Sequence, residues 1–278
     1  MALTFVATLA ASWRWSILAA HAGRSIRYPE AVASYYRSQL VNSVMPGGIV
    51  GDLERGVRHG GGSTGRGVDR GPARQALGGV RVVVVERLAG QAVQLVMTVL
   101  AVVLLPSPVG PATAGVVGSI AVVLVGAALA IGGIGLARRR AVPAAFDVPR
   151  VAQVARVARV SRAVRVVAAS VVVVACHAAT LIIVVRASGA DVPMSRLLPL
   201  VLLVLTASAV PVNVGGWGPR EGAAAWLFGA AGLGAELGLT VAVTYGIASL
   251  LATLPGVLTL ARRSPAAARP PGRVALDG

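Results

Sequence analysis

Lysine is absent from this sequence of 278 residues, and cysteine, aromatic and acidic residues are scarce. The single cysteine, Cys176, lies in an apolar run, which excludes an internal disulfide and a cluster of thiolate metal ligands. Aromatic residues make up only 4%, so the Phe- and Trp-rich core of a large soluble domain is not expected. Charged residues make up 13%, whereas a soluble domain has about a quarter. These deficits exclude an ordinary soluble protein and indicate a chain that lies in lipid.

The basic residues are all arginine and give the chain a net charge of +16. Most of them lie between apolar blocks, which is the distribution that the positive-inside rule describes for membrane proteins. No aromatic residues alternate with them to stack on bases, so the charge does not indicate binding of nucleic acid. Hydrophobic residues make up 56%, and the mean hydropathy is +0.78. The composition predicts an all-α, polytopic transmembrane helix bundle, with one integral membrane domain over residues 1–263.

Long apolar stretches define the predicted membrane segments, because a helix needs about 20 residues to cross the hydrocarbon. Spans are predicted near residues 2–20, 89–105, 112–137, 166–185, 197–212 and 237–260. Shorter segments lie near residues 38–50 and 223–235, and we expect these to re-enter rather than cross. The bundle therefore has about 6–8 membrane segments, two of them broken or re-entrant.

The distribution of arginine predicts the orientation of these segments. Residues 51–90 contain seven Arg, residues 137–166 contain eight and the tail after residue 260 contains four. By the positive-inside rule, we expect the loops 52–88 and 138–165 and a disordered tail at 264–278 to be cytoplasmic. This topology is typical of a multi-pass protein of the bacterial inner (plasma) membrane with a cytoplasmic C-terminus.

Two basic features are predicted at the membrane surface. Arg14 lies between Trp13 and Trp15, which fits an interfacial anchor with a snorkelling guanidinium. Between residues 150 and 166, arginines recur every third residue and valines fall on the opposite side. This stretch is interpreted either as a helix that lies on anionic headgroups before turning into the membrane, or as an ordinary positive-inside loop. The arginines are Arg156, Arg159, Arg162 and Arg165.

Two segments combine helix-breaking residues with ionisable ones. The first runs from Asn42 to Arg55 and the second from Pro211 to Gly222, and each has a Pro, paired glycines and then acidic and Arg residues. Backbone freed at membrane depth must be buried in protein or line an aqueous cavity. Interrupted segments in two halves of a chain indicate a transporter binding site. For any single glycine, close helix packing is the alternative explanation.

These motifs resemble the flippase-like transmembrane domain of lysylphosphatidylglycerol synthases and its stand-alone, YbhN-like relatives. The resemblance covers nearly the whole chain, although relatives usually carry a further hydrophobic segment ahead of the first motif, so the chain looks shortened at its N-terminus. The matching residues are Arg14, Trp15, Asn42, Pro46, Gly47, Gly51, Asp52, Arg55, Glu86, Arg87, Pro211, Gly215, Gly216, Gly218, Arg220, Glu221, Pro255 and Gly256.

The resemblance implies that the chain moves a phospholipid or polyprenyl-linked lipid between leaflets or handles its headgroup. In this hypothesis three arginines attract a phosphate, three carboxylates orient them, and two asparagines add neutral contacts in a groove shaped by the Pro and Gly residues. The residues in these three roles are Arg55, Arg87 and Arg220, then Asp52, Glu86 and Glu221, and then Asn42 and Asn213. No aminoacyl-transferase domain is recognised, so synthase activity is not carried over.

Other classes of function stay open at this point. We expect neither an enzyme nor a cofactor, because His21, His59 and His177 lack ligand-like spacing and no nucleophile–base pair is recognisable. A transferase acting through Glu221 or Asp52, a transporter of small solutes or ions, and a non-transporting scaffold are the alternatives. The expected partners are membrane lipids, chiefly anionic ones, and a homo-oligomer or a membrane partner protein is left open.

Overall fold

A computed structural model describes residues 1–60, 71–106, 149–208 and 218–261 of the chain. Within these ranges the chain is helical and contains no strand, which confirms the all-α prediction. The helices are α1 (Ala2–His21), α2 (Tyr28–Val44), α3 (Val50–Arg58), α4 (Pro72–Leu104), α5 (Pro149–Ala187), α6 (Met194–Ala207), α7 (Pro219–Ala230), α8 (Ala235–Ala252) and α9 (Pro255–Ala261). The span predicted near 112–137 and the tail predicted at 264–278 lie outside the described residues.

Four stretches of the described chain are long and apolar enough to cross a membrane. They are Ala2–His21, Pro72–Leu104, Ala158–Ala187 and Ala235–Leu260. To within one residue, the spans predicted near 2–20, 89–105, 166–185 and 237–260 fall inside these stretches. The last stretch is interrupted by a turn at residues 253–254, before Pro255 begins α9. The span predicted near 197–212 corresponds to the shorter helix α6, whose described part ends at Ala207.

The structure corrects two expectations about the basic segments. The predicted loop 52–88 contains α3 and the first half of α4, and Glu86 and Arg87 lie in the middle of α4 rather than at the opening of a span. Helix α5 is continuous from Pro149 to Ala187, so the turn expected near residue 166 is absent from the described chain. No Gly or Pro lies between residues 150 and 187 to break it. At ~1.5 Å per residue, α5 is ~58 Å long, well beyond a ~30 Å hydrocarbon core.

The two short segments predicted near residues 38–50 and 223–235 each contain the turn of an antiparallel helical hairpin. Helices α2 and α3 fold back on each other through the turn at residues 45–49, where Gly47 and Gly48 have positive φ values of 80° and 61°. Helices α7 and α8 form the second hairpin, through a turn in which Gly232 and Gly234 also have positive φ. Helix α7 is ~18 Å long, which is too short to cross the hydrocarbon.

Helix α6 forms the apolar centre of the bundle. Leu200, Val201 and Val204 are fully buried, and they pack with Leu181 of α5 and Phe228 of α7. A helix that is apolar on every side can be buried on every side, and α6 is of this kind. Most of the buried charged side chains of the site come instead from α1, α3 and α4.

Glycines allow α3 and α4 to cross at very short range. A Cβ added at Gly79 would lie 1.8 Å from the carbonyl oxygen of Gly56, and one added at Gly56 would lie 2.8 Å from the Cα of Val80. Both distances are far inside van der Waals contact, so these positions admit only hydrogen. This close crossing brings Arg55 of α3 next to Glu86 of α4.

We predict that Gly79→Ala destabilises the protein by about 1–3 kcal/mol, because the added methyl group forces the two backbones apart. The measurement is the apparent unfolding temperature of the purified protein in detergent. Gly222→Ala is the matched control, because nothing lies within 4 Å of the added Cβ and Ala is the better helix former. An unchanged unfolding temperature for Gly79→Ala would contradict the close crossing.

Candidate functional site

Glu86 is the centre of a buried network of charged side chains. Its Oε1 atom accepts hydrogen bonds from Arg14 Nε at 2.9 Å and from the Tyr35 hydroxyl at 3.2 Å. Its Oε2 atom accepts one from Arg55 Nη2 at 3.0 Å. Arg14 also donates to the Ser170 hydroxyl at 3.0 Å. The network therefore joins α1, α2, α3, α4 and α5 through one carboxylate that is fully buried.

The Arg14 interactions overturn the interfacial anchor predicted for Trp13-Arg14-Trp15. Arg14 and Trp15 are buried, at 6% and 1% exposure, and only Trp13 is exposed. The physical reason is that a carboxylate and a hydroxyl from other helices satisfy the guanidinium inside the bundle, so it does not snorkel to the headgroups. A Cβ at Gly90 would lie 2.6 Å from Arg14 Nη1, so this glycine makes the room that the guanidinium occupies.

Arg55 lies between two aromatic rings. Its guanidinium carbon is 4.6 Å from the centre of the Trp15 ring and 4.3 Å from that of Tyr35. Cation–π attraction of this kind is stronger when the charge is shielded from water, and Arg55 is only 2% exposed. The same guanidinium donates to Asp52 Oδ1 at 2.8 Å. Arg55 is thus held in place and is not exposed to a ligand.

Asp52 connects this network to the α2–α3 hairpin. It accepts hydrogen bonds from the Ser38 hydroxyl at 2.8 Å and from Asn42 Nδ2 at 2.9 Å, and it forms an ion pair with Arg87. Burial alone would raise the pKa of Asp52, but Arg87 and Arg55 together with these hydrogen bonds lower it below its usual value. Asp52 is therefore ionised at neutral pH.

The Pro and Gly residues of the first motif shape the hairpin. Pro46, Gly47 and Gly48 form the turn, and a Cβ added at Gly51 would lie 2.2 Å from the Ser38 carbonyl oxygen. The Gly51 N–H donates to Asn42 Oδ1 at 2.8 Å, which closes the end of the turn. Close packing, which was the alternative explanation for each glycine, accounts for Gly51.

The second motif is described from Gly218 onward. Gly218 has a φ of 139°, and its N–H donates to Glu221 Oε2 at 2.7 Å, which caps the first turn of α7. Arg220 Nε donates to Glu221 Oε1 at 2.8 Å. The Arg220 guanidinium lies 5.4 Å from the centre of the Tyr245 ring, and a Cβ at Gly246 would lie 2.3 Å from it. Pro211, Asn213, Gly215 and Gly216, which the sequence also predicts, lie outside the described residues.

Side chains from both motifs line a single cavity. This space of about 280 Å³ is bordered by Asn42, Arg87 and Arg220, together with His177 of α5. An adjoining space of about 300 Å³ shares Gln39, Asn42, Arg87 and His177 with it and extends to Asp52 and Arg14. We call the two together the central cavity. The remaining lining is rich in hydroxyl groups, from Thr4, Thr8, Ser43, Ser249 and Thr253.

A family model described as the lysylphosphatidylglycerol synthase TM region matches residues 1–256. The chain belongs to this family. The match confirms the resemblance that the motifs indicated, and with the four apolar helices it identifies a multi-pass membrane protein. No curated protein and no solved structure gives a significant match to the chain.

In this member of the lysylphosphatidylglycerol synthase TM family, the predicted site residues fall into three positions. Asn42, Asp52, Arg87 and Arg220 border the central cavity. Arg55, Glu86 and Glu221 lie behind them as charged partners. Pro46, Gly47, Gly51 and Gly218 shape the backbone. The proposed binding role of these residues stays a prediction.

Sequence reasoning missed several residues of the site. Arg14, Tyr35 and Ser170 join the buried network, and His177 and Tyr245 form a wall of the central cavity. Arg14 and His177 carry the one signal that could have found them, because ionisable residues within predicted spans are costly and are usually functional or paired. Within the described ranges, no group of His, Cys, Asp and Glu could hold a metal ion.

We predict that Glu86→Gln lowers the free energy of unfolding by about 3–5 kcal/mol, because it leaves Arg14 and Arg55 buried with too little negative charge. Glu54→Gln is the control, since Glu54 is 34% exposed and pairs with Arg37 and Arg58 at the surface. An exposed pair contributes at most about 1 kcal/mol. The measurement is the apparent unfolding temperature of each variant in detergent. Equal decreases in this temperature for the two variants would refute the central role of Glu86.

Proposed function

We propose that this chain binds the phosphate-bearing headgroup of an anionic membrane lipid in the central cavity and moves it between the two leaflets. The observation that carries the proposal is that Arg87 and Arg220 border one cavity, although they come from opposite halves of the chain. Discontinuous segments that meet around a common space are a recurring design of transporter binding sites.

The balance of charge supports an anionic ligand. The network around Glu86 and Asp52 contains three guanidinium groups, those of Arg14, Arg55 and Arg87, but only these two carboxylates, so one positive charge is left over. Arg87 is the arginine that can offer this positive charge to a ligand, because its side chain is 45% exposed and borders both parts of the cavity. A phosphodiester carries one negative charge and would neutralise the excess through charge-assisted hydrogen bonds.

The polar lining supports movement of a headgroup through the bundle. A headgroup that leaves water loses its hydration, and each lost hydrogen bond must be replaced. Gln39, Asn42 and the threonine and serine hydroxyl oxygens of the lining place neutral polar groups around the two arginines. Neutral groups of this kind replace water without holding the phosphate too tightly for release.

The distribution of arginine supports an orientation in a bacterial inner membrane. Arg24 of the α1–α2 connection donates to the carbonyl oxygens of Gly60 and Gln75, so these segments lie at the same end of the bundle as the C-terminus of α1. Arg162 and Arg165 of α5 lie beside that end as well. We propose that this arginine-rich end faces the cytoplasm, with the C-terminus on the same side. In this proposal the chain is a transport protein and not an enzyme.

A scaffold that holds anionic lipid without transporting it is the second candidate. It rests on a groove of about 460 Å³ between the end of α1 and α5, bordered by Ser16, His21, Arg162 and Arg165. A cell phenotype that requires Arg162 and Arg165, but not Arg87 and Arg220, would favour the scaffold.

We predict that liposomes containing the purified protein expose headgroup-labelled phosphatidylglycerol of the inner leaflet to an external quencher. Arg87→Gln and Arg220→Gln are each expected to slow this exposure at least on the order of tenfold, because each removes a charge-assisted contact worth about 1.5–3 kcal/mol. Arg81→Gln is the matched control, since Arg81 lies on the same helix as Arg87 but is exposed and does not border the cavity. It is expected to match the wild type.

The outcome distinguishes the two candidates. If wild-type and protein-free liposomes protect the inner leaflet equally, unassisted movement of this lipid is refuted and the scaffold becomes the leading candidate. If the wild type moves the lipid but the Arg87 and Arg220 variants move it equally fast while remaining folded, the transport path lies elsewhere in the bundle.

A further inference from the structure

We infer that His177 is the proton-binding residue of the central cavity, and that it takes up a proton when an anionic headgroup binds. This inference rests on the proposed function and adds a source of energy to it. The residue is placed for such a role, because it borders both parts of the cavity, together with Arg87 in both parts and Arg220 in the first.

The hydrogen bonding of His177 leaves one ring nitrogen for this purpose. Nδ1 lies 2.9 Å from the Tyr245 hydroxyl, which can act as donor to the neutral ring or as acceptor from the charged one. Among the described residues no hydrogen bond is formed by Nε2. The Tyr245 ring also lies under the Arg220 guanidinium, at 5.4 Å, so His177 and Arg220 are coupled through one aromatic side chain.

The charges around His177 disfavour its protonated form when no anion is bound. Within the described chain no carboxylate pairs with His177, and the carboxylates of Asp52, Glu86 and Glu221 are paired with arginines. A proton on the ring would add a further positive charge to an arginine-lined space. The titratable and charged groups that face this space are Arg14 on α1, Tyr35 on α2, Asp52 on α3, Arg87 on α4, Arg220 on α7 and Tyr245 on α8.

A phosphate in the central cavity reverses this balance. Its negative charge supplies the counter-ion that His177 lacks, so bound anion favours uptake of a proton from water by the ring nitrogen. Thermodynamic linkage is reciprocal, so the proton must strengthen binding of the anion by the same factor. Affinity for the anion should therefore rise as the pH falls and the histidine becomes protonated. A proton gradient could then drive the headgroup across the membrane.

Binding of phosphatidylglycerol to the purified wild-type protein in detergent micelles tests the inference. Calorimetric titrations in two buffers of different ionisation enthalpy count the protons taken up per lipid bound. We expect net proton uptake near neutral pH, and binding that is on the order of tenfold tighter at about pH 6 than at about pH 8. His177→Asn should abolish both the proton uptake and the pH dependence of binding. His21→Asn is the control, because this exposed histidine lies outside the central cavity.

The wild-type protein alone can overturn the inference, because the absence of proton uptake on lipid binding contradicts it whether or not the His177 variant folds. Unchanged pH dependence in His177→Asn would also overturn it, while leaving the proposed function intact. If the wild type binds no phosphatidylglycerol at either pH, both the inference and the proposed function fail for this lipid.

Discussion

The fully buried Glu86 carboxylate constrains the rest of the structure. A carboxylate without water must be paired and hydrogen-bonded, and here two arginines and a tyrosine satisfy it from α1, α3 and α2. Each of these partners needs support in turn. Arg55 requires Asp52 and two aromatic rings, and Asp52 requires Arg87 and the end of α2. The network that satisfies this one charge therefore links five helices.

Glycine provides the space in which these charges meet. Gly51 and Gly56 bring the α3 backbone against α2 and α4, while Gly90 and Gly246 leave room for the guanidinium groups of Arg14 and Arg220. The charged network and the close crossings are thus two aspects of one arrangement, since longer side chains at these positions would separate the helices that carry the partners. The resulting bundle is apolar around α6 and polar around the central cavity.

The sequence was sufficient for those features that depend on local composition. The all-α class, the turn at Pro46 and Gly47, and ion pairs between near neighbours such as Arg220 and Glu221 follow from residue types and spacing. The pairing of Arg14 with Glu86 did not, because it depends on how two distant helices are aligned. Arg14 next to two tryptophans has the local pattern of an interfacial anchor, and only its long-range partners show otherwise. The same limit applies to His177, whose neighbours come from other parts of the chain.

The separation of 72 residues between Arg14 and Glu86 has a consequence for biogenesis. Synthesis proceeds from the N-terminus, so α1 and its guanidinium are made before α4, which carries the Glu86 carboxylate that pairs with it. An isolated arginine at the centre of a membrane helix costs about 2.5–3.5 kcal/mol on the scale of translocon insertion. Pairing with Glu86 of α4 therefore offsets a cost that α1 carries when it is inserted, so that α4 stabilises a helix made before it.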